Sequence, residues 1–185
     1  MLGPHRIEGY AIVSADSMIA DAHGKMPATI RNAADQKFLQ EQLDRAAVVV
    51  HGRHSHEGGS RAAGRKRLIL TRQIESIALD PSHPYSRLWN PAGADLAAAL
   101  EALEPRGGPI AIIGGTGVFG LFLPCYDAFH LSRAAGAKIP GGLPVFPDVG
   151  PKATAEDVLG AAGLKPGPQR DLDAAAGVTV TTWER

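Results

Sequence analysis

The chain of 185 residues carries 19 Lys and Arg against 19 Asp and Glu, so its formal net charge is zero. That balance excludes global steering toward nucleic acid or an anionic membrane, although local basic clusters can still meet a phosphate. An apolar fraction of 44% and a charged fraction of 21% describe a globular chain, and the length suits one α/β domain over residues 1–185.

The first apolar run, residues 10–13 of "GYAIVSADSMIAD", reads as a buried strand, and "SADSMIADAHGKMP" reads as a loop stopped by Pro27. From Asn32 the pattern turns helical: Asn32 caps, and Asp35, Phe38, Leu39, Gln42 and Leu43 recur at helical spacing. Residues 46–52 ("AAVVVHG") form a β-branched strand ending at glycine, followed by the irregular "HSHEGGSRAAG", in which a short helix begins near Ser55. "KRLILTR" (66–72) and "SRLWN" (86–90) are further strands, and "DLAAALEAL" (95–103) is a helix. Residues 109–113, 126–133 and 178–183 complete the strands. A short helix over 155–162, capped by Thr154 with Glu156 and Asp157 in its first turn, precedes the last of them. Alternating strands and helices predict a mainly parallel sheet covered on both faces, with the terminal strand antiparallel.

The single cysteine, Cys125, forms no intrachain disulfide and suits a reducing compartment. The opening "MLGPHRIEGYAIV" lacks a secretory leader pattern, and no apolar run nears the roughly 18–20 residues that cross a bilayer, so the expectation is a cytoplasmic chain with no membrane partner.

"IIGGTGVFG" places Gly115, Gly117 and Gly120 in a G-x-G-x-x-G pattern after a strand. A Rossmann site needs a long helix after these glycines, and Pro124 leaves room for about two turns. A glycine turn without a ligand is the plain structural alternative. The other candidate chemistry is metal binding by His51, His54 and His56, but no cysteine or acidic cluster accompanies them, so no metal is expected.

In chain order, "AIVSADSMIAD…GKMP", "ADQKF", "VVVHGRHSHE", "GRKRLILTR", "IIGGTGVFGLFLP", "FHLSR" and "GGLPVFP" resemble dihydrofolate reductase and its close reductase relatives. The resemblance runs from about residue 10 to 147. It implies a three-layer α/β/α fold with a mixed, mainly parallel eight-stranded sheet and NADPH lying across the carboxyl edge of the strands. It further implies a cofactor site formed by Gly52, Arg53, His54 and Ser55, with Arg53 meeting the 2′-phosphate, and by Ile113, Gly114, Gly115, Thr116, Gly117, Val118 and Phe119. Paired glycines let backbone approach a ligand without a Cβ in the way. Thr71 and Arg72 fall where the family places groups near the adenosine ribose. Ala20, Gly24, Lys25 and Met26 fall in the loop that closes over the nicotinamide.

The same resemblance makes Asp35 the catalytic carboxylate, with Ser132 as the hydroxyl beside it and Phe38 and Arg65 as substrate contacts, Arg65 taking the glutamate tail of a folate. Two departures stand out: Ala28 follows Pro27 where tryptophan is common, and Phe119 replaces a tyrosine. The expected function is NADPH-dependent hydride transfer to a pterin-type heterocycle such as dihydrofolate. The alternatives are a ribosylaminopyrimidine reductase of the riboflavin-pathway type and a non-catalytic nucleotide-binding module. The helix near 155–162 either caps the cleft or docks a partner subunit of a homodimer.

Overall fold

The structure is a computed structural model that describes residues 5–55 and 61–185. In chain order its strands are β1 (Ile7–Ser14), β2 (Met18–Ala20), β3 (Val48–Gly52), β4 (Arg67–Leu70), β5 (Ile77–Leu79), β6 (Ser86–Trp89) and β7 (Ile110–Ile112). They continue with β8 (Ala128–Ala134), β9 (Leu143–Pro144), β10 (Lys165–Asp173) and β11 (Val178–Glu184). The helices are α1 (Ala33–Leu43), α2 (Leu96–Glu101), α3 (Thr116–Phe122) and α4 (Ala155–Ala161).

One nine-stranded sheet has the order β10-β11-β8-β1-β7-β3-β4-β6-β5. Strands β8, β1, β7, β3, β4 and β6 are parallel, so their carboxyl ends meet at one edge. Strand β11 runs antiparallel to β8, as its position at the end of the chain suggested.

The sheet therefore has nine strands where eight were expected. The two strands with no counterpart in the sequence reading are both at the sheet's edges: the three-residue β5, and β10, an exposed strand whose Pro166 and Pro168 gave no strand signal. Proline costs little at an edge, because its missing N–H faces solvent, and the ladder to β11 shifts register between Pro166 and Gln169. The segment after β1 also differs from the loop expected there. Residues 18–20 form β2, which pairs with β9 in a separate two-stranded ribbon. Their brevity hides both strands from any periodicity argument.

The core lies on both faces of the sheet. On one face Val48, Val50, Ile110, Ile112, Phe129 and Leu131 pack with α2, α3 and α4. On the other, Tyr10, Val49 and Ala111 pack under Leu43 of α1. The central strands are buried on both sides, which is why they read as unbroken apolar runs. Asn32 caps α1 as expected, its Oδ1 accepting from the backbone of Ala34 (2.9 Å) and Asp35 (3.1 Å). Thr154 caps α4 in a reciprocal capping box with Asp157. No helix among the described residues is long and apolar enough to cross a membrane.

Candidate active site

Strands β7 and β3 lie side by side, so their ends bring the two glycine segments together. The N–H of Gly52 donates to the carbonyl of Gly114 at 2.8 Å, and the N–H of Ile113 donates to Val50 at 3.0 Å. Gly114 sits at φ +124°, joined to Gly115 by a cis peptide bond. A Cβ at Gly115 would meet only Ser55 Oγ, at 3.9 Å, whereas one at Gly114 would press on the Phe119 ring at 3.2 Å. At Gly52 the nearest atom to a Cβ is Val118 Cγ2, at 3.4 Å. Gly52, Ser55, Gly114, Gly115 and Val118 thus surround one glycine-lined cradle at the carboxyl edge.

Gly115 caps α3, its carbonyl accepting from Val118 and Phe119, both at 2.9 Å. The helix ends at Phe122 before Pro124, leaving about two turns. The Thr116 hydroxyl donates to the Pro144 carbonyl, which joins the glycine turn to β9. Nothing lies within 4 Å of a Cβ at Gly117. Phe119 is buried in an aromatic cluster with Phe129 and Phe146 beneath Gly114, at centroid distances of 5.5 and 6.2 Å.

Arg53 and His54 occupy a turn directly after β3, with Arg53 Nη2 3.5 Å from His54 Nε2. The helix expected beyond Ser55, and His56 with it, lie outside the described residues. Thr71 is buried at the end of β4, where its N–H donates to the Trp89 carbonyl, and Arg72 beside it is exposed. Among the described residues no group of three or more His, Cys, Asp or Glu is gathered to hold a metal.

Asp35 stands in the first turn of α1 and hydrogen-bonds Ser132 of β8, a strand separated from β7 of the cradle by β1. It is 8% exposed, so it is no solvated first-turn acid. Burial raises its pKa above the ordinary carboxylate value, and the hydroxyl of the equally buried Ser132 works in the opposite sense by hydrogen bonding to the charged form. Ser132 stands on β8, in register with Ile12 of β1. A buried carboxyl whose pKa is raised suits a proton donor near an apolar ligand.

Of the two expected substrate contacts, Phe38 stands one helical turn from Asp35 on α1, and Arg65 lies apart from the pair. Phe38 packs edge-on to His130 at 5.9 Å and lies under the Arg170 guanidinium at 5.8 Å, toward β8 and β10. Arg65 donates to Gln40 Oε1 (2.9 Å) and Asp44 Oδ1 (2.6 Å), at the far end of α1. Nine residues of helix, about 13 Å, separate Asp44 from Asp35. There Arg65, Lys66 and Arg106 line an open hollow of about 560 Å³ beside Ala47, at the opposite edge of the sheet from the glycine cradle.

Ala20 ends β2 and is buried. Gly24, at φ +80°, turns the following loop, where Asp21 Oδ1 accepts from the N–H groups of His23 and Lys25. Met26 is 37% exposed, one of the few large apolar side chains open to solvent.

This architecture was compared with known proteins. No protein-family model matches the sequence, and no curated protein does. Solved structures do match. A dihydrofolate reductase from Enterococcus faecalis, complexed with NADP(H) and RAB-propyl, superposes with a TM-score of 0.65 over 97% of this chain and 96% of its own, at 15% identity. The fold is that of dihydrofolate reductase. A putative riboflavin biosynthesis protein from Shewanella sp. PV-4 shares it, with a TM-score of 0.62 at 17% identity over 97% of this chain and 98% of its own. So does a diaminohydroxyphosphoribosylaminopyrimidine deaminase/5-amino-6-(5-phosphoribosylamino)uracil reductase from Thermotoga maritima, with a TM-score of 0.66 at 15% identity; this chain spans 56% of that protein.

Helical spacing put Asp35 on the apolar face of α1, where it is buried, and the apolar run before Gly114 is strand β7. Sequence reasoning missed Tyr10 and His130, which stack at 4.6 Å and 9° under α1, because each stands alone in an apolar strand. Pairing between β1 and β8 is what brings them together.

Proposed function

We propose that this chain is an NADPH-dependent reductase that delivers hydride to a pterin-type heterocycle such as dihydrofolate, with Asp35 managing the accompanying proton. The observation that carries the reading is the buried Asp35–Ser132 pair, set at the carboxyl edge of the sheet two strands from the glycine cradle.

The residues present fit a nicotinamide nucleotide. The open space beside Gly115 and the absence of a Cβ at Gly114 and Gly52 let a pyrophosphate approach backbone closely. Arg53 and Arg72, at the ends of adjacent strands, supply charge for a 2′-phosphate. When bound, the dihydronicotinamide supplies the hydride. The chain's own part is to hold the heterocycle beside it, to exclude water with the loop carrying Gly24, Lys25 and Met26, and to keep a proton at the Asp35 carboxyl with Ser132 orienting it. The NADP(H) complex of the Enterococcus reductase of the same fold supports a nicotinamide nucleotide as the cofactor.

A second reading, reduction of a ribosylaminopyrimidine, is favoured by Arg65. The guanidinium expected to take a folate's glutamate tail already donates to Asp44 and Gln40. A tail-free substrate leaves that pairing intact, and two structural neighbours are named for riboflavin biosynthesis or a phosphoribosylaminouracil reductase.

Following NADPH oxidation by absorbance with dihydrofolate or with a ribosylaminopyrimidine separates these readings. Turnover of dihydrofolate that collapses in Asp35→Asn supports the pterin reading; turnover of the pyrimidine alone supports the second. NADPH binding with neither oxidised leaves a nucleotide-binding module and overturns the enzyme.

A further inference from the structure

The turn joining β1 to β2, residues 14–17, is held from four directions, one of them the N–H of Val145 just after β9, which donates to the Ser17 carbonyl at 3.1 Å. From β8, Arg133 Nη1 donates to the carbonyls of Ser14 (2.9 Å) and Ala15 (3.1 Å). Its Nη2 donates to Glu156 Oε1 in the first turn of α4. From the segment after β8, the N–H of Ile139 donates to both Asp16 carboxylate oxygens, at 3.0 and 3.1 Å, and the N–H of Ala15 donates to the Ala137 carbonyl at 2.7 Å. From α4 itself, the N–H of Ala155 donates to Ser17 Oγ at 3.4 Å.

This turn is the base of the loop that carries Gly24, Lys25 and Met26. Ser17 sits at φ +65°, and Ser14 Oγ accepts from the N–H of Met18, the first residue of β2. Beyond β2 the hydrogen bonds of residues 21–25 are local, made to the Asp21 side chain and backbone. The direction in which the loop leaves the sheet is therefore set by this turn together with the β2–β9 ribbon, and the Arg133 side chain ties the turn to α4. A guanidinium suits the task, because its planar fork donates to two carbonyls and a carboxylate at once, which an ammonium cannot do in a fixed plane.

We propose that Arg133, held by Glu156, is a positioning residue: it fixes the 14–17 turn and so, together with the β2–β9 ribbon, sets where the 21–26 loop stands over the glycine cradle. Helix α4 acts in this scheme as the anchor of the loop's base. Its bearing on cofactor binding rests on the nicotinamide reading above; the clamp itself does not.

Amide hydrogen exchange tests it in the full chain, using Arg133→Met, Arg133→Lys and Glu156→Gln, with NADPH affinity measured alongside by fluorescence. Arg133→Met is expected to speed exchange in residues 18–27 by about tenfold or more, the factor that one lost charge-assisted hydrogen bond carries, with β3 and β7 unchanged. Arg133→Lys and Glu156→Gln, milder changes that keep part of the bonding, are expected to fall between. The NADPH Kd should rise in the same order. Unchanged exchange in 18–27, or an equal rise in β3 and β7, would overturn the clamp. A wild-type chain that binds no NADPH sinks the nicotinamide reading instead, and the exchange data still judge the clamp.

Discussion

Asp35 and Ser132 face one another across the interface of α1 and β8, both buried, with the hydroxyl stabilising the charged form that burial disfavours. Removing the hydroxyl leaves burial unopposed. Ser132→Ala is therefore expected to raise the Asp35 pKa further, seen in a carboxyl-carbon NMR titration. The limb of the rate profile that falls as Asp35 loses its proton should move to higher pH with it.

The same burial costs stability at neutral pH. Because the folded pKa lies above the unfolded one, the folded state holds its proton more tightly. Stability conferred by that proton is complete below the ordinary value of 3.8 and is lost as pH rises through the folded pKa. Asp35→Asn is expected to stabilise the chain at neutral pH by about 1 kcal/mol, or about 2–4 °C in Tm, with the gain vanishing in acid. If Asp35 carries the proton, the variant should also lose on the order of a hundredfold in turnover. A gain in stability with full activity would mean that Asp35 is structural.

The glycines separate folding from binding. Gly115→Ala places a methyl where the nearest described atom is Ser55 Oγ, 3.9 Å away, so its stability should match the wild type within about 0.5 kcal/mol. NADPH titration should nevertheless show a loss of tenfold or so, about 1.4 kcal/mol, as the methyl stands in the cradle. Gly117→Ala, with no described atom within 4 Å, is expected to stabilise α3 by about 0.5 kcal/mol.

These contrasts show what was legible in the sequence. The glycine edge was readable because Gly114 and Gly115 follow an apolar run directly, and Asp35 was readable because it interrupts an apolar helical face. Pro124 correctly limited α3 to a short helix. Strand β10 was not readable: exposed along most of its length and holding two prolines, it owes its strand to pairing with β11 rather than to local preference. The pairing of Arg65 with Gln40 and Asp44 was equally hidden, since a side chain's partner on another element depends on packing that no spacing encodes.

Arg53 offers a charge-specific test. Arg53→Ala is expected to raise the NADPH Kd by about tenfold to a hundredfold, the worth of a hydrogen bond to a charged phosphate, while NADH binding changes little. Equal losses for both nucleotides would remove Arg53 from the 2′-phosphate site.

His130 gives a pH signature away from that chemistry. It stacks on Tyr10, shares a 3.0 Å hydrogen bond with the Thr182 hydroxyl and lies 4.0 Å from Glu8. Burial lowers its pKa; Glu8 and Glu184 oppose this, while Arg170 and Arg6 reinforce it. With the folded pKa depressed, its contribution to stability is present above the ordinary value of 6.5 and is lost as pH falls through that value toward the folded one. Chemical denaturation should show a decline beginning near 6.5 that is weaker in His130→Phe, which keeps a ring on Tyr10.

The most direct measurement is a crystal structure of the chain with NADPH. The account predicts the pyrophosphate against Gly114 and Gly115, the 2′-phosphate toward Arg53, and the nicotinamide on the side of Asp35 and Ser132 under the loop carrying Met26. A nucleotide bound elsewhere, as in the hollow lined by Arg65, Lys66 and Arg106, or a nicotinamide with Asp35 turned away from it, would contradict the account.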